Sequence, residues 1–172
     1  MCFGTGLNAF LSLVVAEKNE LQIDYTAIEL YPLQSEWSML NYCSELERPE
    51  LQAVFEKMHQ SPSGQSTQLS PFFNLEKIHG DLLSADINNK KLFDLIYYDA
   101  FAPSSQKELW TKEVFEKLIV LMKPGGILVT YCSKGEVRRN LIAAGFDVEK
   151  LPGPKGKREM IRANSKKIST DI

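Results

Sequence analysis

The run Gly4-Thr5-Gly6-Leu7-Asn8 puts two glycines at the head of a stretch with helical periodicity. In such a turn the backbone can approach a ligand, and the helix start offers free N–H groups. Glu29 closes the next β-branched run, near the ~20-residue spacing at which an acid binds the two hydroxyls of a ribose. Gly80-Asp81, at another strand end, suits hydrogen bonding to an adenine amino group. Asp99 directly follows the most apolar run of the chain, Phe93–Tyr98. Singly, each has a bland reading as a tight turn, an exposed strand-end charge or a helix cap. In this order they predict a nucleoside-binding site at the carboxyl ends of the strands of a doubly wound sheet. The third glycine of GxGxxG is absent, since Ala9 follows Asn8, which weighs against a nicotinamide dinucleotide.

The elements that must position these residues are legible from periodicity. Leu7, Phe10, Leu11, Val14 and Val15 recur at helical spacing over Leu7–Lys18. Ile23–Ile28 reads as a strand ended by Pro32, with helical stretches at Gln34–Tyr42 and Pro49–Met58 and a polar surface loop at residues 60–71. A strand over Phe73–Ile78 is followed by Phe93–Tyr98, apolar enough for a parallel strand buried on both faces. Helix Thr111–Met122, with Thr111 as its N-cap, leads through a tight Lys123-Pro124-Gly125-Gly126 turn into strand Ile127–Tyr131. Helix Glu136–Ala144 is stopped by Gly145, and strands Phe146–Leu151 and Glu159–Ala163 flank a Pro152–Lys157 loop. Strands alternating with helices predict an α/β fold with a mainly parallel sheet and helices on both faces, as one domain over residues 1–172. A glycine turn of this kind is normally fed by a buried strand, so the first strand is expected to be missing and the domain N-terminally incomplete.

The 172 residues, 44% hydrophobic and 24% charged, fit a globular domain with a real core and exclude an extended disordered chain. No apolar run approaches the ~20 residues of a membrane helix. Cys2, Cys43 and Cys132 show no disulfide or metal-ligand spacing, so a reducing compartment, the cytosol, is expected, with no metal. Charge is uneven: residues 1–133 carry a balance of −7 and residues 134–172 one of +5. Lys155, Lys157 and Arg158, in a Gly/Pro loop, are the candidate footprint of a polyanion.

Several blocks resemble one family. They are Gly4–Asn8, Ile28–Leu33, His79-Gly80-Asp81, Asp99-Ala100-Phe101-Ala102-Pro103, Glu108–Thr111, Lys123–Gly126, Gly135–Arg139, Ala144-Gly145-Phe146 and Gly156–Met160. The chain is similar over nearly its whole length to the methyltransferase half of the bacterial tRNA 5-methylaminomethyl-2-thiouridine biosynthesis protein, in its stand-alone form. The resemblance implies a Rossmann-like class I enzyme that uses S-adenosyl-L-methionine (SAM) to methylate the exocyclic amine of 5-aminomethyl-2-thiouridine at the tRNA wobble position. By position, Gly4, Thr5, Gly6, Leu7 and Asn8 would line the methionine end of SAM. Glu29 and Leu30 would take the ribose, Asp81 and Leu82 the adenine, and Asp99 would face the reacting centre. Phe101, Pro103 and Trp110 would form a wall for the uracil ring, with Tyr131 shaping the same pocket and Lys155, Lys157 and Arg158 meeting tRNA. The bland alternative for Trp110 is core packing or a loop anchor. Cys2 stands where the family has a glycine. A methyltransferase for another amine, a nicotinamide oxidoreductase and a non-catalytic RNA-binding remnant are the competing readings.

Overall fold

A computed structural model of the chain describes residues 2–85, 92–153, 156 and 158–166. The chain divides into two compact units, Met1–Ser84 and Ala85–Ile172.

The first unit begins with helix α1 (Leu7–Asn19) and strand β1 (Ile23–Glu29). Its buried face is Ala9, Phe10, Leu13 and Ala16. Leu7, Leu11 and Val15, part of the expected apolar stripe, are 37%, 40% and 48% exposed, so the helix carries two apolar stripes and only one enters this core. The stretch expected to be helical over Gln34–Tyr42 is instead a single 3₁₀ turn at Glu36–Met39, followed by the short helix α2 (Tyr42–Glu45). Pro49–Leu51 is a 3₁₀ turn leading into α3 (Gln52–Gln60), with proline at the start where its missing N–H costs nothing.

The loop expected at residues 60–71 holds a strand, β2 (Ser66–Ser70), antiparallel to β3 (Phe73–His79). Only Leu69 of β2 is buried, so the usual apolar alternation is nearly absent and hydrogen bonding to β3 carries the element. The sheet order is β1-β3-β2. β1 and β3 run parallel from Ile23↔Phe73 to Glu29↔His79, which sets the two strand-end residues side by side. Phe10, Leu13, Phe55, Met58, Phe73 and Leu75 form the dry centre, with Phe10 and Phe55 edge to face at 5.3 Å.

The second unit holds β4 (Phe93–Tyr97), α4 (Lys112–Val120), β5 (Met122–Thr130), α5 (Gly135–Ala143), β6 (Asp147–Pro152) and β7 (Glu159–Asn164). The sheet order is β4-β5-β7-β6; β4 and β5 are parallel, and the pairs with β7 are antiparallel. β4 is not buried on both faces as its composition suggests: it lies at the edge of this sheet, and Leu95 is 42% exposed. The Lys123–Gly126 turn is absorbed into β5 as an irregularity opposite Phe93–Leu95. Gly126 is required there, because a Cβ would sit 2.9 Å from the Lys123 carbonyl oxygen and 3.0 Å from that of Phe93.

Thr111 does stand at the N-cap of α4. Its hydroxyl bonds the Glu113 carboxylate, however, rather than a backbone N–H. Gly145, at φ 101°, ends α5 with its N–H on the Ile142 carbonyl and the Phe146 N–H on that of Leu141, as a left-handed helix end does. Tyr98, Trp110 and Phe115 pack edge to face in the core, with centroids 5.1 Å (Tyr98–Trp110), 5.3 Å (Tyr98–Phe115) and 6.5 Å (Trp110–Phe115) apart. Two of the basic residues behind the positive C-terminal balance are paired: Arg162 with Glu149 at 2.5 Å and Lys150 with Glu159 at 2.7 Å.

Candidate functional site

In the first unit the strand ends and the glycine turn form one hydrogen-bonded group. Gly4 and Gly6 lie at φ 53° and 76°, left-handed backbone that glycine adopts without strain. The Glu29 carboxylate bridges two chain segments: Oε2 accepts the Gly4 N–H at 2.9 Å and Oε1 accepts the Tyr31 N–H at 3.0 Å. Its backbone carbonyl accepts the Gly80 N–H at 3.1 Å, tying the ends of β1 and β3 together. Asp81 begins a tight turn, with Oδ1 accepting the Leu83 N–H at 3.0 Å. Leu30 is 39% exposed, and Asp81 and Leu82 are partly exposed. Helix α1 starts with no side-chain cap and no acid in its first turn, the kind of helix start that suits an anionic ligand group. The structure thus brings Gly4, Thr5, Gly6, Glu29 and Asp81 to one end of the first sheet.

Sequence reasoning missed a set of side chains beneath this turn. His59, in the last turn of α3, stacks on Trp37 with centroids 5.2 Å apart and meets the edges of Phe3 and Phe55. Lys77 donates to the His59 carbonyl at 2.6 Å and lies 5.2 Å from the Phe3 ring centroid. Burial, and then the Lys77 charge, push the His59 imidazole down to about 4, so it is neutral at pH 7. Burial likewise lowers the Lys77 ammonium below its ordinary value. Phe3, His59 and Lys77, with Glu29 and His79, line a cavity of about 40 Å³, room for ordered water but not for a nucleoside. A lone histidine in a polar-looking helix gave no periodic signal; only the fold shows that it reaches the turn.

In the second unit Asp99 is exposed just beyond β4, and the loop that follows it is held by four side-chain hydrogen bonds. The Tyr131 hydroxyl donates to the Ala100 carbonyl at 3.0 Å, and Trp110 Nε1 donates to the Phe101 carbonyl at 2.8 Å. Asn140 Nδ2 holds the Trp110 carbonyl at 2.8 Å, and the Tyr98 hydroxyl donates to the Leu109 carbonyl. Burial pushes the Tyr131 hydroxyl up, with the charges of Cys132 and Asp99 adding to it, so the phenol keeps its proton.

Trp110 is 2% exposed, in contact with Tyr98, Phe115 and Tyr131, which favours its loop-anchor reading over that of a stacking wall. Phe101, at 70% exposed, presents the free aromatic face of this loop, and Pro103 is partly exposed. With Asp99 and Phe101 both exposed, these neighbours do not keep water from Asp99 here. Of the basic loop, Arg158 is exposed, while Lys155 and Lys157 lie outside the described residues. Among the described residues no group of His, Cys, Asp and Glu could hold a metal ion, and no helix is long and apolar enough to cross a membrane.

Residues 47–166 match the model of a family of S-adenosyl-L-methionine-dependent methyltransferases, and the chain belongs to that family. SAM is therefore the cofactor. The chain is 29% identical, over 94% of its length, to the tRNA 5-methylaminomethyl-2-thiouridine biosynthesis bifunctional protein MnmC of Stutzerimonas stutzeri. It is 33% identical, over 92% of its length, to the MnmC of Aeromonas hydrophila. It spans about a quarter of the length of these relatives, 26% in each case. Among solved structures it superposes on MNMC2 from Aquifex aeolicus with a TM-score of 0.76 at 24% identity, covering 97% of this chain and 52% of that one. A methyltransferase from Pyrococcus furiosus follows at 0.53 and 15% identity, covering 93% of this chain and 70% of that one. Both likenesses carry the Rossmann-like α/β fold.

Proposed function

We propose that the chain is a single methyltransferase domain that acts in the cytosol on tRNA, converting wobble 5-aminomethyl-2-thiouridine to 5-methylaminomethyl-2-thiouridine. The observation that carries the cofactor half is the Glu29 carboxylate hydrogen-bonded to the glycine turn beside Asp81. The residues fit SAM. The uncapped start of α1 with Gly4, Thr5, Gly6, Leu7 and Asn8 suits the methionine end. Glu29 and Leu30 suit the ribose, and Asp81, with Leu82, suits the adenine amino group. The acceptor half rests on the resemblance of the Asp99–Pro103 block and on the names of the relatives.

When bound, SAM supplies a methyl group already activated by its sulfonium, so the protein's task is alignment more than activation. Asp99 orients the acceptor amine and takes up its proton, on a loop that Tyr131 and Trp110 hold in place. Phe101 offers a face on which a splayed-out base can stack, with Pro103 beside it, a contact worth ~1–3 kcal/mol per base. The wobble uridine lies in a single-stranded loop and can reach such a face.

The test is transfer of labelled methyl from SAM to tRNA carrying the aminomethyl group, beside tRNA lacking it and free alkylamines, with calorimetric titration of SAM and NAD. Methylation confined to the aminomethylated tRNA, with SAM bound and NAD not, is expected. Labelling of free amines at an equal rate would reassign the acceptor, and NAD binding tighter than SAM would overturn the cofactor site.

The basic loop gives a separate expectation. If Lys155, Lys157 and Arg158 meet tRNA phosphates, replacing all three by Gln should weaken tRNA binding. Each lost contact should also flatten the plot of log affinity against log salt by about 0.7–0.9. SAM affinity should stay unchanged. An unaltered slope in filter binding across 50–300 mM salt (roughly the useful range) would return the loop to an ordinary solvated surface.

A further inference from the structure

Asp99 and Phe101 are exposed, so the placement of both side chains follows mainly from that of their backbone. That backbone is strapped to the 3₁₀ turn Lys107–Trp110. The hydroxyl of Tyr98, one residue before Asp99, donates to the Leu109 carbonyl. Two residues beyond Asp99, the Phe101 carbonyl accepts the Trp110 indole N–H at 2.8 Å. Asp99 therefore lies between two straps that both end on one turn. The turn needs an anchor of its own. Thr111 takes extended backbone at φ −83° and ψ 162°, which breaks the path from the 3₁₀ turn into α4. The Trp110 carbonyl is thereby kept out of the ladder of α4, in a residue only 2% exposed, where an unpaired carbonyl is costly. Asn140 of α5 meets that need: its Nδ2 donates to the Trp110 carbonyl at 2.8 Å. Only the nitrogen of the amide can donate to a carbonyl oxygen, which sets the orientation of the side chain. Asn140 sits one turn from Val137, on the flank of the buried face that Val137 and Leu141 give to α5.

We infer that Asn140 is a positioning residue for the methyl acceptor: acting through Trp110, it sets where the Asp99 carboxylate meets the amine. The relay runs from α5 to the Trp110 carbonyl, across the indole to the Phe101 carbonyl, and back along the chain to Asp99. The Trp110 ring is rigid and lies edge to face with Tyr98, Phe115 and Tyr131, so a shift of its backbone carries the indole N–H with it. Without the Asn140 donor the Trp110 peptide can turn its carbonyl toward water, and the strap on Phe101 shifts or breaks. In-line transfer tolerates little of this, since a misplacement of about 1 Å costs as much as ~10²-fold in rate. Asparagine is not a favoured residue inside a helix, and here its amide is used outside α5. The inference rests on the reading of Asp99 as the residue that faces the acceptor amine.

A double-mutant cycle separates positioning from support of the fold. Single-turnover methylation of aminomethylated tRNA is measured at saturating SAM and tRNA for Asn140→Leu, Asp99→Asn and the two together. Leucine is close to the amide in shape, suits a helix and donates nothing. Asn140→Leu is expected to lower the rate roughly 10–10²-fold, with the SAM dissociation constant unchanged. In the Asp99→Asn background it should lower the rate little further, because the carboxylate it positions is already gone. Asn140→Gln, which keeps an amide N–H, should recover part of the rate. Equal fold-losses from Asn140→Leu in both backgrounds would show that the amide only supports the fold, and would overturn the inference. A wild-type rate in Asn140→Leu, whatever its melting temperature, would do the same. Should Asn140→Leu fail to fold, Asn140→Ala, which removes the donor and leaves room for water, completes the cycle. Asp99→Asn alone tells the two failures apart. A near-normal rate there overturns the acceptor role of Asp99 and the inference with it; a slow Asp99→Asn beside a wild-type Asn140→Leu overturns only the role of Asn140.

Discussion

Asp99→Asn is expected to lower single-turnover methylation of aminomethylated tRNA by roughly the 10²–10⁴-fold typical of lost acid–base assistance, measured at saturating SAM near neutral pH. Asparagine preserves the shape of the side chain and part of its hydrogen bonding, so the loss reports the charge. The proposed acceptor is an alkylamine, largely protonated at pH 7, and only the neutral form of such an amine carries the lone pair that attacks carbon. A carboxylate at the amine holds the ammonium form on arrival and takes its proton as transfer begins. Raising the pH supplies the free amine without help, so the deficit of Asp99→Asn should narrow as pH rises toward 9–10 (about the range where such amines deprotonate).

The loop geometry sharpens the expectation. Tyr131 and Trp110 fix the carbonyls of Ala100 and Phe101, so substituting Asp99 leaves its backbone in place. If Asp99 instead binds the amino group of SAM, the substitution will raise the SAM dissociation constant and leave the rate at saturation nearly intact. A rate close to wild type at every pH removes Asp99 from the mechanism.

What could be read in the sequence follows from where the information is local. The strand ends bearing Glu29, Asp81 and Asp99 were found because β-branched or apolar runs stop at an acid, a pattern contained in six or seven residues. The glycine turn was found for the same reason. β2 was not, because an edge strand of Ser66, Thr67 and Gln68 needs only its partner's hydrogen bonds and shows little apolar alternation. The exposure of Leu95 in β4 was equally hidden, since composition reports what a strand can bury and not what covers it.

His59 lies further out of reach. It is more than fifty residues from the turn it touches, and its neighbours Trp37, Phe55 and Lys77 come from three different elements. Trp110 shows the opposite case, in which a residue type strongly associated with base stacking spends its indole N–H on the Phe101 carbonyl. Of the residues expected to form the wall, Phe101 is the exposed ring, which nothing in the loop sequence marked.

Glu29→Gln is the second substitution with a large expected effect, and its reasoning starts from the two N–H groups that the carboxylate accepts. Glutamate gives one acceptor oxygen to Gly4 and the other to Tyr31. Each oxygen keeps a further lone pair for a ribose hydroxyl. Glutamine replaces one oxygen with an NH₂ group, which must then face an N–H with another donor. Either the turn or the Tyr31 segment loses its bond, and the charge that would strengthen a ribose contact is gone as well. Hydrogen bonds to charged groups contribute about 1.5–3 kcal/mol each, so a rise in the SAM dissociation constant of about 10²-fold is expected.

Titration with S-adenosylhomocysteine and its 2′-deoxy analogue divides that effect between its two sources. Wild type should lose affinity when the hydroxyl is deleted, whereas Glu29→Gln should lose little more, the non-additivity expected of groups in direct contact. Equal losses in both proteins would mean that Glu29 shapes the turn without touching the ribose. Unchanged binding of S-adenosylhomocysteine by Glu29→Gln would remove the acid from the cofactor site.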